Sequence, residues 1–350
     1  MAYFKPFLDD FGFLPHEKGL EPTRQALDSV VTSKIITHLK NQLDSRKKSD
    51  KLAAAWEVAH LNDKRLWPIL KKNLFEETDS DIVSELLSAF INNPHPEAAN
   101  ELARFVFQEK RFVLRKKAIW VLSHFNNSKP ASDALRNLAL TDPDPNIRKE
   151  SVFALGEISD RAASDTLKEI LVSDENREVR QMAVWALGRM RGDYGPIIRS
   201  LEEDTSSEVR REAAWILGRN QAEVALEKLE SALKKETDQK VLEVILWSMA
   251  KIDPTSLSKA DIVLEEDYSE RIRAEYIWLL GRYGQKKEIK RIARTYAGSS
   301  IAVKRSLIWA MSQSGLVGSQ EYLRHWYNLE KDKELKEKIL WAIGESGREK

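Results

Sequence analysis

The sequence predicts an all-α fold, a right-handed solenoid of about ten stacked helix pairs preceded by a distinct N-terminal cap. Three observations predict it: an aromatic residue recurring at one period, two amphipathic helical segments inside each period, and prolines confined to the joints. Tryptophan marks the period. Trp120, Phe153, Trp185, Trp215, Trp247, Trp278, Trp309 and Trp341 follow one another at gaps of 33, 32, 30, 32, 31, 31 and 32 residues. The same register runs back through Ser88 to Trp56. A repeat of 30–45 residues is the mark of a helical solenoid.

Taken in chain order, residues 1–45 look unlike the rest. Tyr3, Phe4, Phe7, Phe11 and Phe13 crowd one short arm. Residues 21–43 then carry Leu27, Val30, Val31, Ile35 and Ile36 at helical spacing and read as one capping helix. The arm either folds over that cap or serves as a candidate docking segment through Phe4, Phe7, Phe11 and Phe13. Residues 46–350 read as the repeat array. Its fullest unit is ASDTLKEILVS (163–173), a polar turn DENRE, and VRQMAVWALGRM (179–190), closed by RGDYGP. Pro130, Pro143, Pro145, Pro196 and Pro254 fall between periodic segments, where a missing N–H does least harm. The unit at 241–262 is the weakest, with Leu242 in an arginine slot and only a stub of a following first helix.

These residues resemble HEAT repeats, of the short bacterial kind found in phycobilisome lyase subunits. The likeness rests on an aspartate, a Val-Arg or Ile-Arg pair five residues on, and a Leu-Gly pair ending the second helix. It stands here as Asp142…Ile147-Arg148…Leu155-Gly156, Asp174…Val179-Arg180…Leu187-Gly188, Asp204…Val209-Arg210…Leu217-Gly218 and Asp267…Ile272-Arg273…Leu280-Gly281. The resemblance implies an armadillo-like helical fold whose second helices line a concave wall. The recurring arginines, each six residues after the acid, are expected to tether the turns.

On the second helix of 179–190, Val179, Ala183, Ala186, Leu187 and Met190 form the core stripe at 100° per residue, with Trp185 and Arg189 together on its flank. The pair is four apart, so indole and guanidinium are neighbours able to form a cation–π contact. Trp215 with Arg219, Trp247 with Lys251 and Trp278 with Arg282 repeat the arrangement, and Trp120 meets His124. With Trp309, these residues form the expected partner-binding ladder. The alternative, that the indoles fill seams between second helices, stays open at this level.

The exclusions are broad. There is no cysteine, which removes thiolate catalysis, disulfides and cysteine metal sites. The six histidines form no metal-binding pair, and no nucleophile elbow, P-loop or dinucleotide fingerprint is present, so no catalytic residue, metal or cofactor is expected. No run of 18 apolar residues exists, so no membrane span is expected and a cytoplasmic location is the default. A net charge of +1 weighs against a duplex nucleic-acid binder, although residues 45–51 and 108–120 are locally basic. The expected function is a non-enzymatic scaffold that engages another protein, by an extended acidic segment, along the tryptophan–arginine wall. A HEAT-like DNA glycosylase and a bilin-lyase subunit are the alternatives that the resemblance supplies.

Overall fold

The computed structural model describes residues 33–61, 63–92, 95–158, 161–265 and 267–346, and its regular elements are all α- or 3-10 helices. The phenylalanine arm and most of the expected capping helix lie outside the described residues. The chain divides into two compact units, residues 1–131 and 132–350, each a stack of helix pairs.

In the first unit, α1 (Ser33–Leu43) precedes α2 (Lys48–His60). The pairs α3 (Trp67–Glu76) with α4 (Ser80–Asn92) and α5 (Ala98–Gln108) with α6 (Phe112–Leu122) follow. Leu39, Ala55, Val58, Leu70, Leu86, Phe90, Leu102 and Ala118 are fully buried between them. Helix α7 (Lys129–Thr141) straddles the division.

The second unit continues with α8 (Pro145–Ile158), then alternates first helices α9 (Ser164–Ser173), α11 (Gly195–Glu203) and α13 (Leu226–Lys235) with second helices α10 (Arg177–Met190), α12 (Ser207–Arg219) and α14 (Gln239–Ile252). The weak repeat has no α-helix in its first position. Two short 3-10 turns, Pro254–Lys259 and Asp261–Leu264, lead straight into the second helix α15 (Glu270–Arg282). Helix α16 (Lys286–Ile292) ends in a 3-10 turn and is followed by α17 (Ile301–Gln313), α18 (Ser319–Leu329) and α19 (Lys333–Ser346).

Local sequence starts the second helices. The Asn176 carboxamide accepts from the backbone N–H of Glu178 and Val179, and the Asp238 carboxylate accepts from Lys240 and Val241. Ser269 and Ser300 cap α15 and α17 in the same way, satisfying donors a helix N-terminus leaves free. The apolar stripe then drives the pairs together: Val179, Ala183 and Ala186 are fully buried, as are Val209, Ala213 and Leu217 one repeat later.

Within the second unit, neighbouring second helices abut while first helices touch sparingly, which makes the second-helix wall the more closely spaced side. The Leu-Gly pairs permit this approach. A Cβ on Gly218 would lie 2.7 Å from the Cα of Ser248, and one on Gly281 would lie 2.6 Å from the Cα of Ala310. At Gly156 the neighbour is the Trp185 ring, 2.6 Å from where a Cβ would stand. Polar ties cross the same seams. The Ser248 hydroxyl donates to the Ala214 carbonyl at 2.7 Å, and the Asn220 amide donates to the Gly188 carbonyl at 2.7 Å.

The recurring arginines build a second ladder on the edge formed by the turns, with a different connection from the one their spacing implies. Arg180 gives two hydrogen bonds, at 2.8 and 2.9 Å, to the carboxylate of Asp204 in the next repeat. The aspartate six residues before it, Asp174, supplies only its carbonyl. The Asp174 carboxylate instead receives Arg148 of the preceding repeat, at 2.8 and 2.9 Å. Arg210 continues the pattern onto Glu236. Each arginine therefore ties two successive turns, and the side chains of these pairs are no more than 20% exposed. Further along, Lys304 holds Glu330 at 2.9 Å, and in the first unit Lys51 holds Glu77 at 2.8 Å.

Candidate partner-binding wall

The ladder residues sit where the second helices carry them, on the solvent-side flank of the core stripe. In the second unit the Arg189 guanidinium lies over the Trp185 ring at 5.2 Å, Arg219 over Trp215 at 5.1 Å, and the Lys251 ammonium over Trp247 at 6.0 Å. Contacts of this kind contribute roughly 0.5–1 kcal/mol at exposed sites. The cations Arg189, Arg219, Lys251 and Arg282 are all exposed. Arg189 is partly committed, donating to the Gly156 carbonyl and pairing with Glu157 at 3.6 Å. Among the described residues, Arg219, Lys251 and Arg282 have no carboxylate within ion-pair distance.

The indoles divide between the two roles open at the sequence level. Trp185 is 9% exposed, stacks on Phe153 at 5.1 Å and packs over Gly156, so it fills a seam. Trp215, Trp247 and Trp309 are half-buried. Trp278, 37% exposed, departs from the pairing pattern: it stacks on Trp309 at 5.3 Å, and among the described residues Arg282 lies over no ring. In the first unit Trp120 is half-buried with His124 edge-on at 4.5 Å.

Sequence reasoning missed a register three residues before the tryptophan slot, occupied by Lys117, Glu212 and Glu275. Each has an ionisable head drawn into the surface. Burial pushes the Lys117 ammonium down, offset in part by Glu85, and it donates to Ser84 at 2.7 Å. Burial pushes the Glu212 carboxyl up against the opposing pull of Gln181, Arg211 and Arg219, and its Oε1 is buried without a partner. Burial and then the neighbouring Glu243 charge raise the Glu275 carboxyl, with Arg271 pulling the other way. The signal was present as a charged residue inside an otherwise apolar helix face. Glu275 lines an open groove of about 670 Å³ between α15 and α17, with Glu270, Arg271, Trp278, Ala302 and Ser306. Among the described residues, no cluster of three or more histidines, aspartates or glutamates stands in position to hold a metal ion, and no helix is long and apolar enough to cross a membrane.

Comparison with known proteins agrees with the helix-pair fold. The HEAT-repeat family matches residues 132–196 and 169–250, so this stretch is built of HEAT repeats. Among solved structures, a mutant of Kap121p superposes with a TM-score of 0.58 at 13% identity, covering 91% of this chain and 42% of that one. The likeness is one of fold, an all-α solenoid. The complex of CpcE and CpcF of phycocyanin lyase from Nostoc sp. PCC7120 is similar at 17% identity, covering 71% of this chain and 98% of that one, with a TM-score of 0.37. The Escherichia coli protein YibA is similar at 18% identity, with coverages of 87% and 99% and a TM-score of 0.40. No curated protein matches the chain in sequence.

Proposed function

We propose that this chain is a non-enzymatic binding scaffold whose second-helix wall, centred on α10, α12 and α14, receives an extended acidic segment of another protein. The observation that carries the reading is the row of exposed cations at Arg189, Arg219 and Lys251, each backed by an indole and the last two without a carboxylate of their own. Such groups are partly desolvated on one side and open to a counter-charge on the other, and aromatic and arginine side chains dominate interface energetics. Contact spread over three repeats sums weak interactions rather than filling one deep pocket.

A nucleic-acid reading fits this wall less well. Glu157, Glu212, Glu243 and Glu275 interrupt it, and a backbone with one charge per nucleotide cannot step around them, whereas a peptide can place its acids only where cations wait. An extended protein segment can also offer apolar side chains to the exposed parts of the indoles.

The test is a fluorescence-anisotropy titration of a labelled 20-residue peptide alternating glutamate with leucine and phenylalanine, with a lysine-substituted peptide as control. The native chain is expected to bind the acidic peptide, and Arg189→Glu/Arg219→Glu/Lys251→Glu to bind it at least about tenfold more weakly while keeping its helical circular dichroism. Equal binding by the folded triple variant, or preference for the lysine peptide, contradicts the reading.

A further inference from the structure

Among the described residues, the turn ladder has one rung without an anion. Arg273 occupies the slot of Arg148, Arg180 and Arg210: it is the fourth residue after the cap Ser269, as Arg180 is after Asn176. Its Nε is buried and, among the described residues, finds no hydrogen-bond partner. In the other rungs the acceptor is the residue that ends the next first helix in extended conformation: Asp174 (φ −71°, ψ 126°), Asp204 (−65°, 135°), Glu236 (−74°, 142°) and Glu330 (−76°, 141°). The residue ending the corresponding 3-10 turn (Ala293–Gly298) is Ser299, in the same extended conformation (−86°, 154°). Arg148 and Arg210 pair 26 residues downstream, as Lys51 and Lys304 do, and 26 residues after Arg273 is Ser299. The rung therefore presents a guanidinium with a hydroxyl where an anion stands elsewhere.

We propose that Ser299 is a phosphorylation site whose phosphate supplies this missing anion. The chemistry is transfer of the γ-phosphoryl group of a nucleoside triphosphate by a protein kinase. The bond from Ser299 Oγ to phosphorus forms, the bond from that phosphorus to the bridging oxygen breaks, the hydroxyl proton passes to the kinase base, and the nucleoside diphosphate leaves. Reach is adequate: the phosphorus of phosphoserine is two bonds beyond Cβ, as is the carboxyl carbon of the glutamates that fill this slot at 77, 236 and 330. Access is adequate too. Ser299 is half-buried directly after the exposed Ala297 and Gly298, and its hydroxyl donates to the carbonyl of the exposed Thr295. A phosphate carrying nearly two charges pairs bidentately with arginine and orders the segment that bears it. That segment leads into α17, whose Ala302 and Ser306 form one wall of the groove beside Trp278, so the modification braces the groove. This inference is independent of the acidic-peptide reading.

The experiment installs phosphoserine at position 299 of the full chain by amber suppression and follows amide hydrogen exchange by mass spectrometry, with Ser299→Glu as a second variant. Phosphoserine is expected to slow exchange at least about fivefold in peptides spanning 269–276 and 293–304, and to have no such effect in the Arg273→Gln background. Unchanged or faster exchange in both anionic variants, or equal slowing with and without Arg273, overturns the proposal. Inorganic phosphate added to the unmodified chain separates the sources. Protection by millimolar phosphate equal to that of phosphoserine means a free-anion site and sinks the modification, whereas protection by the covalent group alone upholds it.

Discussion

At the residue scale, the distinctive groups are the carboxylates that close successive turns. Each takes a cation from the repeat before it and the backbone N–H groups of its own turn. Glu330 is the fullest case. Burial alone would raise its carboxyl, but Lys304 at 2.9 Å, the N–H groups of Asp332 and Lys331 and the Tyr296 hydroxyl hold it down to about 2, from an ordinary 4.5. A carboxyl depressed in the folded state contributes stability that is complete above its unfolded pKa and is lost as pH falls through the folded value. The contribution is about 3 kcal/mol at neutral pH, disappearing between pH 4.5 and 2. Urea unfolding at stepped pH is expected to show that loss in the native chain and a markedly flatter acid profile in Glu330→Gln. Parallel profiles contradict the assignment.

At the scale of the helix, legibility in the sequence varies by the kind of contact. The period, the paired helices and the stub at 254–264 were all readable, because apolar spacing and prolines act within one segment. The arginine slots were readable too, but not their partners. An aspartate six residues upstream stands in the same register as the aspartate a repeat downstream, and only the stacked structure distinguishes carbonyl from carboxylate contact. The Trp278–Trp309 stack was hidden for the same reason, since it joins different repeats. So was the choice between seam and surface: Trp185 and Trp278 share a register, and their burial is set by what the preceding and following helices present. The helix-end glycines illustrate how context decides a sign. Replacing glycine by alanine inside a helix ordinarily stabilises by about 0.5–1 kcal/mol. Gly344, with nothing within 4 Å of its Cβ position, is expected to follow that rule. Gly218, whose Cβ would press on the Ser248 backbone, is expected to destabilise by about 1–3 kcal/mol through overpacking. Thermal melts of the two single variants check this, and a stabilised Gly218→Ala would mean the helices approach less closely than described.

At the scale of the whole molecule, each unit is quasi-one-dimensional: a repeat touches its neighbours, and stability accrues from local interfaces. A surface repeated in this way recognises extended ligands by adding modest contacts, and its charges make such binding weaken as salt rises. On the proposed function, recognition falls on the second-helix wall of α10, α12 and α14 rather than on first helices or turns. Photo-crosslinking decides this: the acidic peptide carries benzophenone at successive positions, and the adducts are mapped by mass spectrometry. Adducts are expected on residues flanking Trp185, Trp215 and Trp247, advancing by one repeat as the probe moves along the peptide. Adducts confined to α9, α11 and α13, or scattered without order, would contradict it.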